Sequence, residues 1–406
     1  MVTTHQETPN DTTRFRAFEY RLYPSAPQVS RLRALREETR RWYNLCLERR
    51  RDAWENEHKS LSAYDQMREL KEYRAGRPQA AAVHVHAFQV ATCDLDKAFR
   101  AFFRRVKAGE KPGYPRFKGA HRWNSIGFKE YGKGFKRDGR RLRVTGVGRI
   151  AVRWHRPLEG RIKTCRIIEK ADGWYVAFQC ATPPPDRLPP TGKAVGIDLG
   201  LLNLVTTSDG EKIAPPTCYR TSEKLLRIAQ RRVARRKKGS NRRRKAVNAL
   251  ARIHLHVARQ RKDFADKVAR RLAQENDVIA AEDLNVQTMV KNHHLAKSIS
   301  DAGWSYLRKR IEVKAADAGR SFVLVDPTYT SQTCSACGNR FEHLTLKDRW
   351  VTCSCGLSLD RDQNAAINIL TIARDGQSRR ALSAPIGTFA REAAPLERQR
   401  SVTQID

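Results

Sequence analysis

The sequence predicts a multidomain α+β protein with two halves of different character, and three observations carry that expectation. Between about residues 124 and 181, short runs of alternating apolar and polar residues are separated by Gly and Asp, which is the pattern of a small barrel. Prolines then crowd residues 183–190, where extended unpaired backbone is favoured and a linker is expected over 183–193. Beyond it, apolar strand-like segments ending in acids are interleaved with long basic helical stretches, as in an open α/β sheet.

In chain order, residues 14–23 alternate aromatic or apolar with polar residues and stop at Pro24, the pattern of a half-buried strand. Val29, Leu32, Leu35, Trp42, Leu45 and Leu47 recur at helical spacing from Ala26 to about Trp54. A second helix is expected over about 83–106, with Phe88, Val90, Leu95, Ala98, Phe99 and Phe102 on one side. The prolines and glycine of 111–118 end it. Strands are expected at 142–144, 149–152, 163–168 and 174–179. No repeat of solenoid length is present, and the polar, aperiodic tails 1–13 and 374–406 are expected to be disordered.

The formal net charge is +36 over 406 residues. A field of that sign favours a polyanion, because each phosphate neutralised releases a condensed counterion. An anionic membrane is the rival partner, yet no apolar run of about 18 residues exists to span one, and the polar residues 1–13 are not expected to act as a leader. A soluble, intracellular protein is therefore expected.

Four of the nine cysteines fall in two close pairs, Cys334-Ser-Ala-Cys337-Gly338 and Cys353-Ser-Cys355-Gly356. Neighbouring thiolates on a tight turn can both face one tetrahedral ion, so the set predicts Zn²⁺, with Gly338 free to take the positive φ of the turn. The second pair leaves only one residue between ligands, so either its geometry is strained or a nearby group such as His343 replaces one of them. A disulfide framework fits poorly with an odd number of cysteines in a long chain. Cys46, Cys93, Cys165, Cys180 and Cys218 are scattered and read as small buried hydrophobes.

Three acids stand out in the second half. Asp198 sits in Gly196-Ile-Asp-Leu-Gly200, an apolar strand continued by a hairpin through Ser208-Asp209-Gly210. The run Asp277-Val-Ile-Ala-Ala-Glu282-Asp283 reads as a buried strand presenting a carboxylate at its C-terminal end, with either Glu282 or Asp283 able to cap the next element. Asp362 opens a helical run and reads either as a site residue or as an N-cap, and Asp360 could serve the same purpose. Paired divalent cations, Mg²⁺ or Mn²⁺, need such hard carboxylate oxygens to drive phosphodiester hydrolysis, whereas the soft cysteines select zinc. A basic chain with a carboxylate cluster reads as a nuclease. Between these acids, about 221–275 is helical with a break at Lys238-Gly239-Ser240-Asn241. Arg235, Arg236, Lys237, Lys238, Arg242, Arg243 and Arg244 cluster there and are expected to contact nucleic acid.

The order of these pieces resembles the TnpB family of transposon-encoded RNA-guided nucleases, which are similar to compact type V CRISPR effectors. The resemblance spans about 14–370 and is carried by Tyr20-Arg-Leu-Tyr-Pro24, Trp42-Tyr-Asn44, Gly113-Tyr-Pro-Arg-Phe-Lys118, Gly196-Ile-Asp-Leu-Gly200, Ala281-Glu-Asp-Leu284, Ser298-Ile-Ser-Asp-Ala-Gly-Trp304, Thr330-Ser-Gln-Thr-Cys-Ser-Ala-Cys-Gly338 and Asp360-Arg-Asp-Gln-Asn-Ala-Ala366. It implies a wedge β-barrel from 14–25 and 120–182, an inserted helical recognition module at 26–119, and a RuvC-like RNase H fold from 194–329 and 357–373. A zinc-ribbon module at 330–356 would interrupt that fold. Asp198, Glu282 and Asp362 would take the catalytic, magnesium-binding positions, with Asp360 in reserve. The implied partners are a guide RNA from the transposon end and double-stranded target DNA, cut beside a short motif, and the implied location is cytoplasmic and nucleoid-associated, in a bacterium or archaeon. The short second cysteine pair departs from the family's usual spacing. The competing expectations are a guided repressor that binds without cutting, and a guide-independent resolvase or transposase.

Overall fold

The computed structural model describes residues 14–342, 344–345, 348–376 and 380–381. Of the tails expected at 1–13 and 374–406, residues 1–13, 377–379 and 382–406 lie outside those residues, as does His343. The chain divides between Pro184 and Pro185 into two compact units.

The first unit opens with β1 (Arg14–Tyr23) and α1 (Ala26–Glu57), whose first turn is set by a capping box between Ser25 and Gln28. Three short helices follow, α2 (Ala63–Arg68), α3 (Leu70–Ala75) and α4 (Pro78–Ala81), and then α5 (Val85–Lys107). The remaining strands are β2 (Ser125–Phe128), β3 (Phe135–Asp138), β4 (Arg141–Val144), β5 (Gly148–Arg153), β6 (Arg161–Lys170) and β7 (Gly173–Thr182). They form one antiparallel sheet in the order β2-β6-β7-β1-β5-β4-β3. Its edge strands β2 and β3 meet through the rings of Phe128 and Phe135, 5.9 Å apart, so the sheet curls into a nearly closed barrel. Phe178, Tyr20 and Leu142 fill the interior. Trp42 of α1 is fully buried, donating to Thr92 Oγ1 of α5 at 2.8 Å, which pins the two long helices together.

The second unit is a mixed sheet with helices on both faces. Its elements are β8 (Ala194–Asp198), β9 (Val205–Thr207), β10 (Lys212–Ile213), α6 (Cys218–Ala234), α7 (Asn241–Glu275), β11 (Val278–Glu282), α8 (Val286–Met289), α9 (His293–Ala302), α10 (Trp304–Ala318) and β12 (Ser321–Val325). The hairpin strands β13 (Trp350–Thr352) and β14 (Ser358–Asp360), the helix α11 (Arg361–Arg374) and β15 (Arg380–Ala381) complete it. The strand order is β10-β9-β8-β11-β12-β15, with β8, β11 and β12 parallel and the others antiparallel. Being covered on both faces, the parallel strands carry near-continuous apolar runs, such as Ser321–Val325, buried throughout. Val268, Leu272, Leu307 and Ile311 of α7 and α10 pack on one face, while Ile369 of α11 joins Ala280 and Val325 on the other.

Several expectations need correction. The short helices α2 to α4 and the run α8 to α10 go beyond the expected elements; helices of four to six residues show no helical period, and α10 has only a weak apolar stripe. Arg380 and Ala381 fall in the tail expected to be disordered, yet they pair with Leu324 and Val323. A cysteine module ending at 356 would cut the β13–β14 hairpin, whose pairing runs on to Asp360.

Candidate active site and cysteine cluster

Parallel pairing of β8 with β11, in the register Ile197 with Ala281, brings Asp198 and Glu282 side by side at the C-terminal ends of adjacent strands. The third acid arrives on α11, which crosses the same strands closely. At Gly196 a Cβ would lie 2.0 Å from the Ala366 carbonyl oxygen, so only glycine admits the helix at this depth. Asp362 lies four residues before Ala366 and half-buried, in the first turn.

Burial first, then the charge of Glu282, then that of Asp362, push the Asp198 carboxyl up to about 8. Burial also raises Glu282, which is 8% exposed, against the opposing hydrogen bond donated by the Thr330 hydroxyl. These groups are thus close enough that their negative charges are mutually unfavourable without a cation. Carboxylate oxygens are the hard donor type that Mg²⁺ or Mn²⁺ takes.

Asp360 does something else. Its carboxylate caps α11, accepting from the backbone N–H of Asp362 at 3.0 Å and of Gln363 at 3.2 Å, and it also receives Lys212 Nζ at 2.7 Å. The N-cap is therefore Asp360, the second of the two capping readings the sequence left open, while the charge of Asp362 acts on Asp198. Asp283, the other acid open to choice, pairs with Arg308 at 2.7 Å.

The four sulfurs of Cys334, Cys337, Cys353 and Cys355 all lie within 4.8 Å of one another. Cys334 to Cys355 and Cys337 to Cys353 are each 3.6 Å, against the roughly 3.8 Å between ligands of a tetrahedral ion with bonds of about 2.3 Å. The donor set and its spacing fit zinc. The thiol of Cys353 is pulled down to about 6 by the backbone N–H of Cys355 and then by the neighbouring thiols, which prepares a thiolate. No strained backbone is needed for the short pair. Gly356, at φ 93°, turns the β13–β14 hairpin, and neither Cys353 nor Cys355 has positive φ. Gly338, at φ 80°, turns the first pair as expected. Among the other cysteines, Cys46, Cys165, Cys180 and Cys218 are buried and Cys93 is half-buried.

Three residues that carried no role in the sequence join the two centres. Asn364, fully buried in α11, accepts from Ser335 N–H at 2.9 Å and donates to the Thr333 carbonyl at 2.8 Å. Asn368, one turn on, donates to the carbonyls of Thr330 at 2.8 Å and Thr333 at 2.7 Å. Thr330 in turn donates to Glu282. Spacing of i and i+4 on a helix was the available signal, but it says nothing about which loop would be gripped.

The basic residues divide in the same manner. Arg231, Arg232, Arg235 and Arg236 line a groove on α6 with Ile228. Arg243, by contrast, donates from Nη1 to the carbonyls of Val233 at 2.8 Å and Arg236 at 3.1 Å, closing the α6–α7 hairpin. Arg243, expected from the sequence to contact nucleic acid, thus has a structural part in this hairpin. Asp277 has a role that its sequence context does not reveal: it accepts from Thr191 and Gly192 N–H and pairs with buried Arg320, which donates to the Pro189 carbonyl at 2.7 Å. These bonds tie the linker to the second unit.

Fold and site together define a carboxylate-centred α/β protein with a zinc-type cysteine module. Family models match three stretches: a probable transposase over residues 177–293, a Cas12f1-like TNB domain over 304–369, and a helix-turn-helix domain over 14–59. In this structure the last stretch is a strand and one unbroken helix. A putative RNA-guided DNA endonuclease of Streptomyces pristinaespiralis is 37% identical over 366 residues, covering 87% of this chain and 88% of that protein. The putative RNA-guided DNA endonuclease InsQ of Escherichia coli is 27% identical, over 88% of this chain and 92% of that one. By structure, a Cas12f1–sgRNA–target DNA complex matches with a TM-score of 0.58 at 12% identity, over 88% of this chain and 99% of that one, a likeness of fold. The chain belongs to the TnpB family. No helix among the described residues is long and apolar enough to cross a membrane.

Proposed function

We propose that this protein is an RNA-guided, divalent-metal-dependent endonuclease that cuts double-stranded DNA beside a short target-adjacent motif. The observation that carries the reading is the convergence of Asp198, Glu282 and Asp362 at one end of the parallel strands, in a chain of net charge +36 that shares its length with relatives named RNA-guided DNA endonucleases. The hairpin β8-β9-β10 continued by parallel β11 and β12, with α11 returning across them, supports a RuvC-like RNase H fold.

In this reading Asp198, Glu282 and Asp362 hold two Mg²⁺ or Mn²⁺ ions. Ions bound there supply Lewis acidity to the attacking and leaving oxygens of the phosphodiester. Thr330 orients Glu282, and the α11 cap at Asp360 fixes the first turn from which Asp362 projects. Zn²⁺ at the cysteines has a structural part only. The barrel and helices of residues 14–182 form the wedge and recognition modules, and the α6–α7 arginines follow the backbone of the guide RNA and its target. Base pairing reads the target while the protein holds the backbone.

The test is a plasmid carrying a guide-matched site beside the required motif, incubated with the protein and its guide RNA. Linear product is expected with Mg²⁺ and is lost in Asp198→Ala. Target binding without cutting by the intact protein would overturn the reading in favour of a guided repressor.

A further inference from the structure

Among the described residues, three non-glycine positions have positive φ: His58, Thr217 and Tyr329. His58 ends α1 and Thr217 precedes α6, so helix capping accounts for both. Tyr329, at φ 63°, borders no helix, and a left-handed tyrosine is costly backbone. Its neighbours hold it there. The Tyr329 carbonyl accepts from Gln332 N–H at 2.9 Å and Thr333 Oγ1 at 3.0 Å. The next residue, Thr330, is buried and bonded to Glu282.

This conformation keeps the ring out in solvent. Tyr329 is 51% exposed, and the guanidinium of exposed Arg340 lies 3.3 Å from its ring centroid. An aromatic face and a guanidinium plane stacked together, one residue from the partner of a site carboxylate, offer a flat, cationic surface. Strain retained to present an exposed aromatic beside a reactive centre points to a ligand for that ring.

We infer that Tyr329 and Arg340 form a stacking platform for an unpaired nucleobase of the DNA strand brought to Asp198, Glu282 and Asp362. The inference rests on the endonuclease reading and names what the site holds beside the scissile phosphate. A base paired with the guide is already stacked within its duplex, whereas a strand entering the site to be cut exposes base faces that aromatic and Arg side chains take up without sequence preference.

The experiment uses the full-length protein loaded with its guide RNA and a target strand with 2-aminopurine placed at successive positions. Binding is read in the Asp198→Ala background and cleavage in the otherwise wild-type protein. One or two adjacent positions should be quenched, and Tyr329→Gly should abolish that quench and lower kcat/KM for cleavage about tenfold, the usual worth of one stacked base. Tyr329→Phe should restore both. Thermal stability of Tyr329→Gly should be equal to or above wild type, since glycine relieves the backbone while only an exposed contact is lost. An unchanged quench and cleavage rate in Tyr329→Gly would overturn the platform, as would a fall in Tm accompanying the loss, the behaviour of a packing residue. If the protein with native Tyr329 cuts no guide-matched target at all, the endonuclease reading fails instead.

Discussion

Thr330 donates its hydroxyl to Glu282 and gives its carbonyl to Asn368, so a single residue of the loop leading into the first cysteine pair touches both a site carboxylate and the helix that carries Asp362. The cysteine module is thereby fastened to the acids on two sides. Asn364 adds a second pair of bonds, gripping Thr333 and Ser335 on either side of Cys334.

Thr330→Val keeps the shape of the side chain but removes the donor to Glu282. Cleavage should fall about 10- to 100-fold, the range for losing a partner that orients a metal ligand, and more Mg²⁺ should be needed for half-maximal rate. Zinc content, measured by atomic absorption, should stay at the wild-type level. An unaltered Mg²⁺ dependence would mean that the hydrogen bond has no orienting role.

The two acids of Asp360-Arg-Asp362 should separate cleanly. Asp362→Asn should abolish cleavage with little change in Tm. Asp360→Ala should cost about 1 kcal/mol of stability through loss of the helix cap, measured by urea denaturation, and retain measurable cleavage. The reverse pattern would assign the site to Asp360.

Asp198 makes the stability of the metal-free protein depend on pH, because burial and then Glu282 and Asp362 raise its carboxyl from an ordinary 3.8 to about 8. The metal-free folded state holds this proton more tightly than the unfolded chain, so its stability falls as pH climbs from about 4 towards about 8 and flattens above. Asp198→Asn should remove that slope and be more stable than wild type at pH 8 by about 1–2 kcal/mol, after allowance for the half-open end of the site. Mg²⁺ should narrow the gap by stabilising the wild type alone. Equal pH profiles for the two metal-free proteins would contradict the close approach of the three acids.

Removal of zinc tests the clamp. Cys353→Ser, or chelation of the wild type, should loosen the β13–β14 hairpin and the loop that Asn364 and Asn368 hold, reducing cleavage at least tenfold with binding of the guide RNA preserved. A zinc-free protein with full activity would uncouple the module from the acids.

On the basic hairpin, Arg244→Gln should leave Tm unchanged, weaken guide-RNA binding and reduce the slope of log K against log salt concentration by about one contact. Arg243→Gln should instead lower Tm, because the carbonyls of Val233 and Arg236 lose their donor. Fluorescence anisotropy across a salt series, paired with thermal melts, distinguishes the two.

Much of the fold is legible in the sequence where the information is local. The alternation of residues 14–23 marks β1 to the residue, and the glycine break at 239 marks the turn between α6 and α7. The apolar runs ending in Asp198 and Glu282 mark strands whose ends present acids, because a strand covered on both faces has few other places for a charge. Asp360 and Asp362 could not be told apart this way, since Asp caps helices well at either position and the choice depends on where α11 begins and what it faces.

Sequence alone determined the partner class and the donor chemistry: a charge of +36, four cysteines in two pairs, and isolated acids at the ends of apolar runs. The tertiary structure decided which acid joins Asp198 and Glu282, which arginine closes a hairpin, and how the cysteine module reaches the site. Those answers rest on bonds between residues far apart in the chain, Thr330 to Glu282 and Asn364 to Ser335 among them, and on the depth to which Gly196 admits α11. Composition and spacing set what each side chain can bind, but only packing sets which groups lie within hydrogen-bond reach of one another.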